Sequence, residues 1–229
     1  MNPTALTPPR PETHHHPRNA RLLQRRAVIA PPPDQRATQW DRPVPVHPGT
    51  MPDERPPLVW LLAAHGGAGT TTLERVLGPA ADCYRRWPVP APGQTPYVLV
   101  VARETVSGLA AADAVLRQHH AGLAGDSTVV GMVTVAARPG RVPAPIRRDR
   151  DLYSGLVART WRIDWHESWT LTAPAALPIW CPDPSGADAL ADADPANTVP
   201  PDVRVLGEEL IAAVAALHDR VPEIGRTPL

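Results

Sequence analysis

Between Ala64 and Leu73 the chain reads Ala64-His65-Gly66-Gly67-Ala68-Gly69-Thr70-Thr71-Thr72-Leu73. Glycines let a backbone turn with several N–H groups pointing inward, and the start of a following helix adds partial positive charge. An anion such as phosphate is therefore favoured there before any side chain is counted. The side chain that usually completes such a loop is a lysine. None exists in this chain, whose 23 basic residues are all Arg, and that also excludes Schiff-base and lysine-base chemistry. Guanidinium binds phosphate bidentately and is the permanent cation available. Arg103 and Arg138 each follow an apolar stretch and are the arginines that could supply it, with Glu104 as an acid for a metal ion.

Other patterns mostly close doors. His166-Glu167-Ser168-Trp169 begins like a zincin helix, but residue 170 is Thr where the second histidine belongs. There is no G-x-S-x-G elbow. Asp183, Asp188, Asp192 and Asp194 lack the glycine and terminal glutamate of a calcium loop. Gly67 to Thr72 matches two glycines of a dinucleotide fingerprint, with no acid about 20 residues on for the ribose. His14 to His16 lie among prolines without a carboxylate or thiol frame. Cys83 and Cys181 form no CxxC and fit a reducing compartment. Trp161, Trp165 and Trp169 read either as a buried strand face or as an aromatic surface for a partner.

A strand has to enter the loop and a helix has to leave it. The apolar run from Leu58 to Ala64 predicts a strand buried on both faces. Thr71 and Glu74 have capping-box spacing, and Leu73, Val76, Leu77, Ala80 and Tyr84 recur with helical period, predicting a helix kinked at Gly78-Pro79. Beyond it the pattern predicts strands over 97–102, 128–137 and 161–165 alternating with helices over about 107–120 and 145–157, Ser107 capping the first of these. Such alternation implies an α/β domain of three layers with a mainly parallel sheet, over residues 58–221. Residues 172–201 read as a surface loop, 202–218 as a closing helix and 222–229 as a short tail.

Fourteen of the 31 prolines fall in residues 1–57, which predicts a disordered Pro/Arg-rich tail. Its segment Arg18 to Ala30 is basic and amphipathic and could dock on a protein partner, DNA phosphates or lipid headgroups. The formal net charge is zero, so no global field draws the chain to nucleic acid. No apolar run approaches the ~20 residues that span a bilayer, and no signal core opens the chain. The expectation is a cytoplasmic protein without a membrane span.

Residues 65–72 resemble the deviant Walker A loop, K-G-G-x-G-K-T-T, of the ParA/MinD-type partition and positioning ATPases. Gly66, Gly67, Gly69, Thr71 and Thr72 match, while His65 stands at the signature lysine and Thr70 at the phosphate-loop lysine. The segment Tyr97 to His120, with Val130 to Val135, is similar to the strand, helix and strand that follow that loop. The resemblance implies a P-loop-like fold, ATP or another nucleotide with magnesium, the Thr71 hydroxyl on the metal, and a homodimer around the nucleotide. A closer resemblance, over about Leu58 to Trp180, is to an uncharacterised family of P-loop-like proteins of high-GC Gram-positive bacteria. It is carried by Leu58-Val59-Trp60, the loop, Val98 to Arg103, Gly108-Leu109, Pro139-Gly140-Arg141 and Trp161 to Trp169. It implies a setting in plasmids, conjugative elements or partition systems.

The candidate binding residues are thus His65, Gly66, Gly67, Ala68, Gly69, Thr70, Thr71, Thr72 and Arg103. Three readings stand: nucleotide or phosphate binding with little or no hydrolysis, a relic loop on a domain that binds proteins only, and a slow ATPase using Arg in place of Lys.

Overall fold

The computed structural model describes residues 28–45, 56–90, 92–182 and 198–219. Five strands, β1 (Val59–Ala63), β2 (Ala80–Asp82), β3 (Tyr97–Arg103), β4 (Thr128–Val135) and β5 (Thr160–Ile163), form one all-parallel sheet in the order β2-β1-β3-β4-β5. A parallel sheet is covered on both faces, so its central strands must be apolar throughout; β1 is buried at every position and β3 at all but Arg103. Alternation sorts their side chains. Val59, Leu61, Leu99 and Val101 face helices α1 (Thr70–Val76) and α5 (Pro201–His218), while Trp60, Leu62, Val98 and Val100 face α2 (Val106–His120). Helix α3 (Ala144–Ser154) packs on α2, and α4 (Glu167–Leu171) is a short turn after β5. The result is the three-layer α/β domain that the alternation implies. With no Phe in the chain, Trp60 and Trp87 fill the largest fully buried sites.

The strand order sets where a ligand can sit. From β1 the chain steps outward to β2 and then returns past β1 to β3, so α1 and α2 leave on opposite faces of the sheet. In doubly wound sheets the crevice beyond the carboxyl ends of two such strands is where ligands bind. Here that crevice lies between the ends of β1 and β3.

Several elements differ from expectation. The helix after the loop stops at Val76, and Gly78-Pro79 ends it where a kink was expected; Ala80–Asp82 then pairs with β1 as an edge strand. Ala-Ala-Asp carries no strand signal of its own, and the neighbouring strand decides it. No capping box forms, because the cap is Gly69 without a side-chain bond and the Glu74 carboxylate accepts the Asp82 N–H at 3.0 Å. Thr105, not Ser107, caps α2, its hydroxyl accepting the Gly108 N–H at 3.0 Å. Strand β5 ends at Ile163, so Trp161 is buried and Trp165 lies half-buried beyond it.

The tail expected over 1–57 is packed where it is described. Residues 1–27 and 46–55, with His14 to His16 and most of the Arg18–Ala30 segment, lie outside the described residues. The Trp40 and Trp87 N–H groups donate to Trp87 and Thr38 carbonyls at 3.0 and 2.8 Å, and Val44 is buried against the α2 face. The buried Gln118 amide holds Ala37 from both sides, accepting its N–H at 2.9 Å and donating to its carbonyl at 2.8 Å. This strap gains its order from contacts distant in sequence, which a proline count does not reveal. The expected surface loop is likewise anchored at its start. Buried Trp180 donates to the Val76 carbonyl at 2.8 Å and accepts the Gly78 N–H at 2.9 Å, while residues 183–197 lie outside the described residues. Among the described residues no helix is long and apolar enough to cross a membrane.

One acid-sensitive contact lies at the end of α2. His119 stacks on Trp87 and takes the Val129 N–H on Nε2 at 3.4 Å; burial, then the neighbouring His120, hold its pKa below the ordinary value. A histidine kept neutral by the fold contributes stability above about pH 6.5, lost as pH falls from there through the folded value, with a slope of at most about 1.4 kcal/mol per pH unit. The melting temperature is therefore expected to drop between pH 7.5 and pH 5, and His119→Gln to flatten that drop. An unchanged profile in the variant would assign the acid sensitivity to other groups.

Candidate functional site

The loop leaves β1 at Ala64, whose N–H donates to Val101 on β3. Gly66 and Gly67 are exposed, and Ala68 turns inward to the core beneath α1. Gly67 and Gly69 hold φ of 78° and 105°, left-handed backbone that glycine adopts freely and other residues do not. Alternation of right- and left-handed residues is the backbone form in which successive N–H groups can turn to one side as an anion-binding concavity, and Gly67 and Gly69 supply its left-handed positions. The three threonines open α1: Thr70 is buried, Thr71 exposed and Thr72 half-buried.

His65 stands where the resemblance puts the signature lysine, and it does different work. Its Nδ1 donates to the Gly66 carbonyl at 2.8 Å, while its Nε2 accepts the Arg103 N–H at 3.1 Å. With Nδ1 donating and Nε2 accepting, both ring nitrogens are engaged and the ring orientation is set. The ring is a clamp between the loop and the end of β3. Gly108 on α2 permits it: a methyl there would stand 2.4 Å from the Arg103 carbonyl oxygen and 2.7 Å from Nε2 of His65.

Positive charge reaches the loop from two arginines. A methyl on Gly69 would stand 3.7 Å from Nη1 of Arg103, and one on Gly66 would stand 3.9 Å from Nη1 of Arg85. Neither guanidinium makes an ion pair among the described residues. Arg103 was expected from its place at the end of β3; Arg85 was missed. It follows the unforeseen strand β2, in a turn whose central residues Tyr84 and Arg85 have φ of 55° and 60° and whose Arg86 N–H donates to the Cys83 carbonyl at 3.2 Å. Asn-Gly is the usual occupant of such a two-residue turn. Tyr-Arg there is strained, and the strain is sustained by the Asp82 carboxylate, which accepts the Tyr84 N–H at 2.7 Å, and by the strap's Trp40, which donates to the Cys83 carbonyl at 2.9 Å. Burial, reinforced by the Asp82 charge, pushes the Cys83 thiol up and keeps it inert.

The remaining candidates fall away from the loop. Glu104 is buried under Arg150 at 3.0 Å and Arg162 at 3.0 Å and also accepts the Thr134 hydroxyl, so its carboxylate is committed to the β4–β5 side. Arg138 lines a separate hollow of about 300 Å³ with Arg141. Asp82, the acid at the end of β2, pairs level with Leu61, below the loop. The loop itself offers a magnesium ion the hydroxyls of Thr70, Thr71 and Thr72 and no carboxylate, which is a poor fit for that ion; among the described residues no cluster of three metal-ligating side chains exists.

Residues 57–179 match a family of unknown function, DUF6668. No curated protein and no solved structure matches the chain.

Proposed function

The chain belongs to the DUF6668 family, and within its fold we propose that the glycine loop Gly66–Thr72 binds the phosphate group of a ligand, with Arg103 and Arg85 supplying the charge that lysines bring elsewhere. The observation that carries this reading is the Arg103 guanidinium lying against Gly69 with no carboxylate partner among the described residues. A half-buried cation without a partner, beside a concavity of backbone N–H groups, is complementary to an oxyanion. The ligand is held and released without hydrolysis, because the acid after β3, Glu104, is tied to Arg150 and Arg162 and is not available to order a metal ion or a water at the loop. A nucleotide is the first ligand to try, and the setting implied by the resemblance, an accessory protein of a plasmid, conjugative element or partition system, belongs to the same proposal.

Thermal shift with ATP, ADP, GTP and pyrophosphate, followed by a phosphate-release assay, tests it. Stabilisation without turnover is expected. No stabilisation by any of them removes the binding reading, and turnover removes the non-hydrolytic part.

Arg85 gives a sharper test. Arg85→Gly relieves a left-handed non-glycine residue, so the variant is expected to gain up to about 1 kcal/mol of stability. It loses one charge-assisted bond to the ligand, so affinity is expected to fall about tenfold. Unfolding and titration of the same preparation measure both; a variant that gains stability and keeps full affinity removes Arg85 from the site.

A further inference from the structure

On the α2 side of the loop a cavity of about 380 Å³ opens directly beside it. Two residues belong to both: His65, whose ring clamps the loop, and Arg85, whose guanidinium approaches Gly66. Methyl groups make the floor, from Ala64 just after β1 and from Ala110, Ala111 and Ala114 on α2, while Ala63, whose methyl packs toward α1 on the other face, borders it. The roof is polar and comes from the strap, with Asp34 and Gln35 on a 3-10 turn and Arg36 after it. That roof is built rather than draped: the Gln118 amide fixes Ala37 next to it, and Arg36 Nε donates to the Pro31 carbonyl at 2.8 Å. The lining is as polar as it is apolar, alanine methyls on one side and the side chains of Asp34, Gln35, Arg36, His65 and Arg85 around them, which suits a polar organic group, and the volume lies near the lower end of the roughly 300–1,000 Å³ of small-molecule pockets.

We propose that the ligand of the loop is an organic phosphate whose ring-sized, polar organic part lies in this cavity, between the alanine floor and the strap. The apolar face of a ring lies on the methyls, and its hydroxyl or amino groups meet Asp34, Gln35 and the Arg36 guanidinium. Nucleosides and sugars share that chemistry. The strap that roofs the organic part also carries Trp40, which holds the turn presenting Arg85, so recognition of the ring and of the phosphate are joined through one segment. This inference rests on the phosphate reading of the loop.

Calorimetric titration of the full chain pairs each organic ligand with its own anion: ATP and GTP against tripolyphosphate, ribose 5-phosphate against inorganic phosphate. At least one organic ligand is expected to bind about tenfold or more tighter than its anion, and the pair that responds tells nucleotide from sugar phosphate. Ala111→Phe fills the cavity from the floor and is expected to erase that advantage while leaving the anions' affinities unchanged. Ala110→Phe, on the exposed flank of the same helical turn, repeats the test should Ala111→Phe fail to fold. Equal binding of every organic ligand and its anion overturns the cavity and leaves the loop reading standing, as does an advantage that survives both variants. Binding of neither class overturns both.

Discussion

Gly69→Asp is expected to abolish phosphate-ligand binding, a loss on the order of 100-fold or more, while the domain stays folded. A methyl at this position would stand 3.7 Å from Nη1 of Arg103 and 3.6 Å from Val135, which is ordinary contact, so space is not what the substitution violates. Backbone conformation is one obstacle: φ of 105° strains any non-glycine residue by about 1–2 kcal/mol. Charge is the larger one. The new carboxylate lies within reach of the Arg103 guanidinium, takes the place of the ligand's oxyanion, and repels what remains of it. Loss of one charged hydrogen-bonding pair, about 1.5–3 kcal/mol, together with the repulsion, gives the stated loss. The internal pair that the introduced carboxylate makes with Arg103 offsets part of the strain, so unfolding should shift only slightly. Gly69→Ala separates the two causes, carrying the same φ without the charge, and is expected to lose only a few-fold. Equal losses in the two variants would assign the effect to backbone strain and remove Arg103 from the binding account.

How much of this site was legible beforehand depends on where its information lies. The loop could be read because its signal is local: glycines between an apolar strand and a helix. Arg103 could be read as well, since it ends the next strand and parallel neighbours end at the same level. Arg85 could not. It hangs from an edge strand of three residues, Ala80–Asp82, whose alanines favour a helix and which exists only by pairing with β1. The strap was hidden for a related reason. Prolines deny residues 31–45 a helix or a sheet ladder, yet Gln118 and Trp87, about eighty and fifty residues away in sequence, supply the missing backbone partners. Composition reports what a segment cannot form by itself, and it is silent about what another element can do for it. His65 shows the converse. Its place in the loop was plain, but its work as a clamp follows from Gly66, Arg103 and Gly108 together.

That clamp carries the second large effect. Gly108 occupies the first turn of α2, and by helix propensity alone an alanine there stabilises by about 1 kcal/mol. Gly108→Ala is expected to destabilise instead, by about 2 kcal/mol. Its methyl would stand 2.4 Å from the Arg103 carbonyl oxygen, 2.7 Å from Nε2 of His65 and 2.9 Å from Oγ1 of Thr105, and the first of these belongs to backbone held in the sheet. Overpacking of this kind costs about 1–3 kcal/mol or more, which outweighs the propensity gain. The two movable neighbours are the bonds that matter: the ring of His65 gives up the Arg103 N–H, and the loop loses its tether to β3. Affinity for the phosphate ligand is therefore expected to fall about tenfold, alongside a melting temperature lower by about 4–8 °C. The pair His65→Ala and Gly108→Ala then forms a double-mutant cycle. Removing the imidazole removes one of the three clashes and the bond it threatens, so the second substitution is expected to cost less stability in the His65→Ala background than in the wild type, a coupling of about 1 kcal/mol. A Gly108→Ala protein as stable as the wild type would mean that propensity governs this turn and that His65 does not bind the loop to β3.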